Sequence, residues 1–273
     1  MKKASKIYTA LIMVFLFAPI AILLLFSFNE SKSLSVFAGF SFKWYQELFR
    51  DGDTLESVKN TLILACAASA IATVMGTAAS VGINKLRNKY IRASFDTVTN
   101  IPMTNPDIVT GISLSLLFVF IGGKLLGQKE SLTFWTLLIA HVTFNLPYVI
   151  LNVMPKLGQM DRSLVDAAMD LGCTPLQSFF KVTLHEIMPG IVAGFIMAFT
   201  MSLDDFVISY FVTGMDFVTL PVEIYSYTKK PIPPKIYAMF TLLFLLIFVL
   251  MVVMNLLQLR ADRKKSQQRI GKS

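Results

Sequence analysis

From position 7 to position 28 the chain carries no charged side chain, and five more apolar stretches follow at about 61–83, 95–121, 132–154, 187–213 and 236–259. A helix rises 1.5 Å per residue, so about 20 such residues cross a hydrocarbon core roughly 30 Å thick. With 55% hydrophobic and only 15% charged residues, the chain is far from the balance of a water-soluble domain. The fold class expected is an all-α integral membrane protein with six transmembrane helices, and residues 1–273 form a single transmembrane domain.

An even number of spans puts both termini on one side. Lys2, Lys3, Lys6, the Lys85, Arg87, Lys89 and Arg92 loop, Lys156, Arg162, Lys181 and the tail from Arg260 to Lys272 hold most of the basic residues on that side. The positive-inside rule makes it cytoplasmic, in a multi-pass protein of the inner membrane. Lys229, Lys230 and Lys235 oppose the bias without reversing it. The net charge of +8 is thereby explained by topology and contact with membrane lipid, and a nucleic-acid partner is not expected. The first apolar run is longer than the core of a signal peptide and no small-x-small cleavage pattern follows it, so it reads as a retained helix. Cys66 falls in a span and Cys173 in a cytoplasmic loop, which disfavours a disulfide, and the only histidines, His141 and His185, make no metal cluster.

Between the first two spans, Trp44 and Tyr45 beside Lys43 and Glu47 read as an aromatic anchor at the membrane surface. The outer segment "GMDFVTLPVEIYSYTKKPIPPK" is rich in Pro and Tyr and reads as partly re-entrant or interfacial.

The stretch "DAAMDLGCTPLQSFFKVTLHEIMPG" is a polar island. Asp161 caps a helix of about 162–171, with Leu164, Ala167, Ala168 and Leu171 on one face. Gly172 stands where a left-handed residue ends it, and Thr174 with Pro175 starts a second helix through about Val182. A hairpin over 161–186 results, which packs under its own bundle or docks another protein.

The spacing Asp166, Ala167, Ala168, Gly172, Val182, Leu184 resembles the coupling-helix motif of ABC importer permeases, with Asp166 for the usual Glu and His185 for the usual Pro. Together with "FKWYQELF", "NPDIVTGISL", "HVTFNLPYVI", "SLDDFVISYFVTG" and "LPVEIYS", it makes nearly the whole chain similar to permease subunits of bacterial spermidine/putrescine importers. That resemblance implies a type I importer permease fold and alternating access for polyamines. It also implies three kinds of partner: a second homologous permease, two ATPase subunits and an extracytoplasmic solute-binding protein. Leu164, Asp166, Ala167, Ala168, Leu171 and Gly172 would then meet the ATPase.

The chain has no G-x-x-x-x-G-K-[ST] phosphate loop and no assembled catalytic or metal constellation. It reads as a non-catalytic subunit that binds no cofactor or metal, with ATP and Mg on the partner ATPase.

Ionisable groups inside membranes mark pathways by default. Asn100, Thr104, Asp107 and Gly111 follow helical spacing in the third span, as do His141, Asn145, Tyr148 and Asn152 in the fourth and Ser202, Asp205 and Ser209 in the fifth. For Asn145, Asn152, His141 and the serines, interhelical hydrogen bonding is the leading reading. Asp107 and Asp205 ask for a cation, since no Lys or Arg occurs in any of the six spans. On its stripe Asp205 is expected to face the path, and Asp204, about 100° away, an adjacent helix or subunit. Two alternatives stay open: an ABC permease for ferric iron, thiamine or an organophosphonate, and a proton-coupled secondary transporter with Asp107, Asp205 and His141 as relay.

Overall fold

A computed structural model describes residues 2–32, 36–86, 88–125, 127, 131–214, 216–228, 233–246, 248–249 and 252. The described chain is helical: α1 (Lys2–Phe26), α2 (Lys43–Arg50), α3 (Gly52–Lys85), α4 (Lys89–Thr104), α5 (Asp107–Val119), α6 (Phe134–Gln159), α7 (Ser163–Asp170), α8 (Pro175–Ser178), α9 (Leu184–Asp204), α10 (Val207–Val212) and α11 (Leu220–Thr228), then α12 (Lys235–Leu246). π-Helical turns at Phe120–Leu125 and Phe179–Thr183 prolong α5 and join α8 to α9. Among the described residues, five helices are long and apolar enough to cross a membrane: Lys6–Phe26, Gly52–Lys85, Asp107–Lys124, Phe134–Gln159 and Pro175–Asp204. α12 begins the sixth expected span, most of whose remainder, like Arg87 and the basic tail from Arg260, lies outside the described residues.

Two expected spans are broken. The third is not one helix over 95–121, because α4 ends at Thr104 and α5 starts at Asp107. Pro106 drives the preceding residue out of the helical region, and Asn105 accordingly has ψ 135°. The Asn105 amide then donates to Thr110 Oγ1 at 2.9 Å and fixes the turn. The polar spacing from Asn100 to Gly111 is therefore not a stripe on one helix. The fifth span breaks at Asp205, with ψ 114°, and resumes as α10. Here no Pro or Gly intervenes. Asp205 instead accepts from the amides of Ile208 at 3.2 Å and Ser209 at 2.8 Å, capping α10 as it ends α9.

The described chain forms two compact units, Met1–Leu55 with Ser226–Ser273, and Glu56–Tyr225. In the first, Trp44 is 2% exposed and donates from Nε1 to the Asn29 carbonyl at 2.6 Å. It is a buried pin, not the surface anchor expected from its neighbours in sequence. Asn29 also holds the returning segment, donating to the Val36 carbonyl and accepting from the Ala38 amide, each at 2.8 Å. The Lys235 ammonium pairs with Asp51 at 2.5 Å.

In the second unit α6 is central, with Leu137, Ala140, His141, Asn145, Val149 and Val153 all buried. α9 approaches it through glycine. A Cβ on Gly194 would sit 3.2 Å from Val149 Cα, and one on Gly190 2.8 Å from the Asn152 carbonyl. α5 meets α10 the same way at Gly111, 3.4 Å from Ile208 Cα. Small residues let backbones close where lipid offers no hydrophobic drive for association. Large apolar side chains such as Val74, Leu116 and Trp135 stay exposed, at a cost that water would impose and lipid does not.

Candidate functional site

The hairpin is built by local cap chemistry. Asp161 accepts from the Ser163 amide at 3.0 Å, and hydrogen bonds from the Ser163 backbone and hydroxyl hold its carboxyl below the usual carboxylate range. α7 ends in a Schellman motif: the Gly172 amide donates to Met169 at 2.9 Å and the Cys173 amide to Ala168 at 3.0 Å, with Gly172 at φ +86°. A capping box follows, in which Thr174 and Gln177 each accept from the other's amide with Pro175 between them.

The second helix departs from expectation by not stopping near Val182. It runs through the π-helical turn at Phe179–Thr183 into α9, so Pro175–Asp204 is continuous. The second helix of the hairpin is thereby continuous with α9, which packs on α6.

The face bearing Leu164, Ala167 and Leu171 is exposed, as is Asp166, while Ala168 is half-buried. Leu171 is 87% exposed, and Leu176 and Phe180 project nearby. Such a surface is uncovered by this chain's own bundle. Beneath it, a cavity of about 640 Å³ is lined by Lys85, Arg92, Arg162 and Asp166 among others.

Inside the bundle, His141, Asn145, Ser202, Asp205 and Ser209 converge. Asn145 Nδ2 donates to Ser202 Oγ at 2.7 Å. His141 Nδ1 lies 3.1 Å from Ser202 Oγ, and Nε2 lies 3.1 Å from Ser209 Oγ. Ser209 Oγ donates to Asp205 Oδ2 at 3.0 Å. One arrangement of protons satisfies the whole chain: Asn145 N–H to Ser202, Ser202 O–H to Nδ1, Nε2–H to Ser209, and Ser209 O–H to the carboxylate. Only Asn145 Oδ1 is left without a partner. The cluster ties α6 to α9, to the break and to α10.

The other residues singled out by sequence lie apart from this cluster. Asn100, Thr104 and Asp107 are exposed and Tyr148 is half-buried, with its carbonyl accepting from Asn152 at 2.8 Å. Asp205, expected to face the path, has a side chain only 6% exposed, while its neighbour Asp204 is exposed on this chain. The break, which rotates Asp205 into the bundle, is the reason.

Sequence reasoning passed over a further group. Phe206, Tyr210 and Tyr225 meet at the break, with centroids 4.7 Å apart for Phe206 and Tyr225, 5.4 Å for Phe206 and Tyr210, and 5.5 Å for the two tyrosines. The four-residue spacing of Phe206 and Tyr210 could have signalled the pair. Tyr225 arrives from α11 and left no local sign.

Residues 70–267 match the family described as binding-protein-dependent transport system inner membrane component. The chain is 38% identical over 253 residues to the putrescine transport system permease protein PotI of Escherichia coli (strain K12), covering 92% of this chain and 89% of that protein. It is 34% identical over 243 residues to the spermidine/putrescine transport system permease protein PotC of Haemophilus influenzae, covering 89% and 91%. Among solved structures it resembles, with TM-score 0.71 and 15% identity, a bacterial ABC transporter involved in the import of the acidic polysaccharide alginate, covering 91% of this chain and 92% of that one. At that identity the likeness is one of fold.

Proposed function

The chain belongs to the family of binding-protein-dependent transport system inner membrane components, and we propose that it is a permease subunit through which an ATP-driven importer moves putrescine or spermidine across the inner membrane. It works beside a second homologous permease, receives solute from an extracytoplasmic binding protein, and is driven by two ATPase subunits that hold the ATP and Mg. Both termini are cytoplasmic, which puts the hairpin on the side where ATP is found.

The solute is argued from identity over about nine-tenths of the chain to two permeases named for polyamines. The observation that carries the mechanism is the exposed hairpin, capped at both turns and continuous with α9. A pull on Leu164, Leu171 or Gly172 becomes a tilt of α9. Through the His141 cluster and the glycine contacts, α6 and α10 follow, and rigid-body tilting of packed helices alternates access. Asp107, Asn100, Thr104 and Tyr148 remain candidates for the path, whereas Asp205, His141, Asn145, Ser202 and Ser209 serve it by holding the helices that line it.

The test is hydrolysis and uptake in proteoliposomes. This chain alone hydrolyses no ATP. With its second permease, ATPase subunits and liganded binding protein, it supports ATP-dependent putrescine accumulation. Turnover of ATP by the pure single chain contradicts the assignment.

A further inference from the structure

We propose that the break between α9 and α10 carries a binding site for a primary ammonium group, formed by the Asp204 carboxylate and the rings of Phe206, Tyr210 and Tyr225. The proposal rests on the reading above that the solute is a polyamine, and it moves the cation contact from Asp205 to its neighbour.

Asp205 is unsuited to meet a solute. Its carboxylate is engaged by the Ser209 hydroxyl and by two amides of α10, and it faces His141 inside the bundle. Asp204, the last residue of α9, is exposed, and among the described residues no Lys, Arg or His pairs with it. The sequence contains no Lys or Arg between Lys181 and Lys229, so this part of the chain offers the acid no basic partner. Its negative charge is therefore left open to a cation from outside the chain.

The rings supply the rest of the chemistry. Phe206 follows Asp204 by two residues and its ring contacts both tyrosines, Tyr225 more closely than Tyr210. Tyr210 and Tyr225 are 42% and 37% exposed, so ring surface stays open. Aromatic faces attract ammonium groups, and the same faces pack against the methylenes between the amines of a polyamine. A neutral or anionic solute gains nothing from this combination.

The location suits the task. α9 has 21 residues and so spans about 31 Å, close to the thickness of the hydrocarbon core. With the hairpin cytoplasmic, the break lies toward the outer face, where solute released by a binding protein arrives first.

The experiment measures initial putrescine uptake by the assembled complex in proteoliposomes, with liganded binding protein at saturation, alongside ATP hydrolysis and complex abundance. Asp204→Asn should lower uptake about tenfold or more, while Asp204→Glu keeps most of it. Tyr210→Phe and Tyr225→Phe should transport near the wild-type rate because the ring remains, and Tyr210→Leu and Phe206→Leu should lose about tenfold at unchanged abundance. Wild-type uptake by Asp204→Asn overturns the site. If Asp204→Asn does not assemble, the ring variants decide: equal rates for Tyr210→Leu and Tyr210→Phe, or a loss in abundance in place of rate, overturn it and leave the rings as membrane-surface anchors. If the wild-type complex moves neither putrescine nor spermidine, the polyamine reading falls and the site falls with it.

Discussion

His141 Nε2 lies 3.4 Å from Asp205 Oδ2, with side chains 1% and 6% exposed, across the point where a membrane helix is interrupted. The pair converts a break that would loosen the bundle into a joint, because the same carboxylate caps α10 and faces the ring on α6. Removing either residue leaves buried hydrogen-bonding groups of the cluster without a partner, a cost of about 1–3 kcal/mol. His141→Ala and Asp205→Ala should therefore each lower the melting temperature and yield of the solubilised complex. The double variant should lose less than the sum of the two. Additive losses would show that the two residues act separately.

Gly172→Val should uncouple transport and leave insertion intact. At φ +86° a β-branched residue costs on the order of 1–2 kcal/mol, so the Schellman turn opens and the second helix is re-aimed. Co-purification of the ATPase with the variant is the readout, and undiminished assembly with normal uptake would exclude a role for the turn.

Gly194→Leu should destabilise the packing of α9 on α6. Its Cβ would meet Val149 Cα at 3.2 Å, and a backbone atom has no rotamer by which to withdraw. Overpacking of this kind costs about 1–3 kcal/mol, so the variant should assemble poorly and melt earlier. Gly52→Ala, where nothing lies within 4 Å, is the control and should behave as wild type.

The Asp51–Lys235 pair gives a pH dependence. Burial raises the Asp51 carboxyl, but hydrogen bonds from Lys235 and Thr54 outweigh it and leave the group below its ordinary range. A depressed folded-state value means stability that is present above the unfolded value of about 3.9 and is lost as pH falls through the folded value. The wild-type complex should lose this part of its stability only on acidification below about pH 4, and Lys235→Met should remove it at pH 7. Equal melting curves for the variant and wild type at pH 7 would show that the pair contributes nothing.

The spans were legible because lipid imposes a length and a composition that hydropathy reads directly. The hairpin was legible as well, since Gly172, Thr174, Pro175 and Gln177 act through bonds to their own neighbours. Pro106 announced the break after α4. Nothing comparable marks Asp205, where a side-chain cap interrupts the helix without Pro or Gly. Ser202, Asp205 and Ser209 were grouped by a helical periodicity that does not continue through them, yet they do converge, because His141 on α6 collects them from both sides of the break. Partners that meet across helices, such as Trp44 with Asn29 or Phe206 with Tyr225, leave no trace in local spacing.

The central claim is that this chain moves a polyamine only when ATP is hydrolysed by subunits docked on its hairpin. Its most direct test is radiolabelled putrescine uptake into proteoliposomes holding this chain, a second permease and the ATPase subunits, with binding protein outside and ATP inside. The account predicts accumulation that requires ATP, is abolished by Gly172→Val, and does not arise from a proton gradient alone. Accumulation driven by a proton gradient without ATP would contradict it.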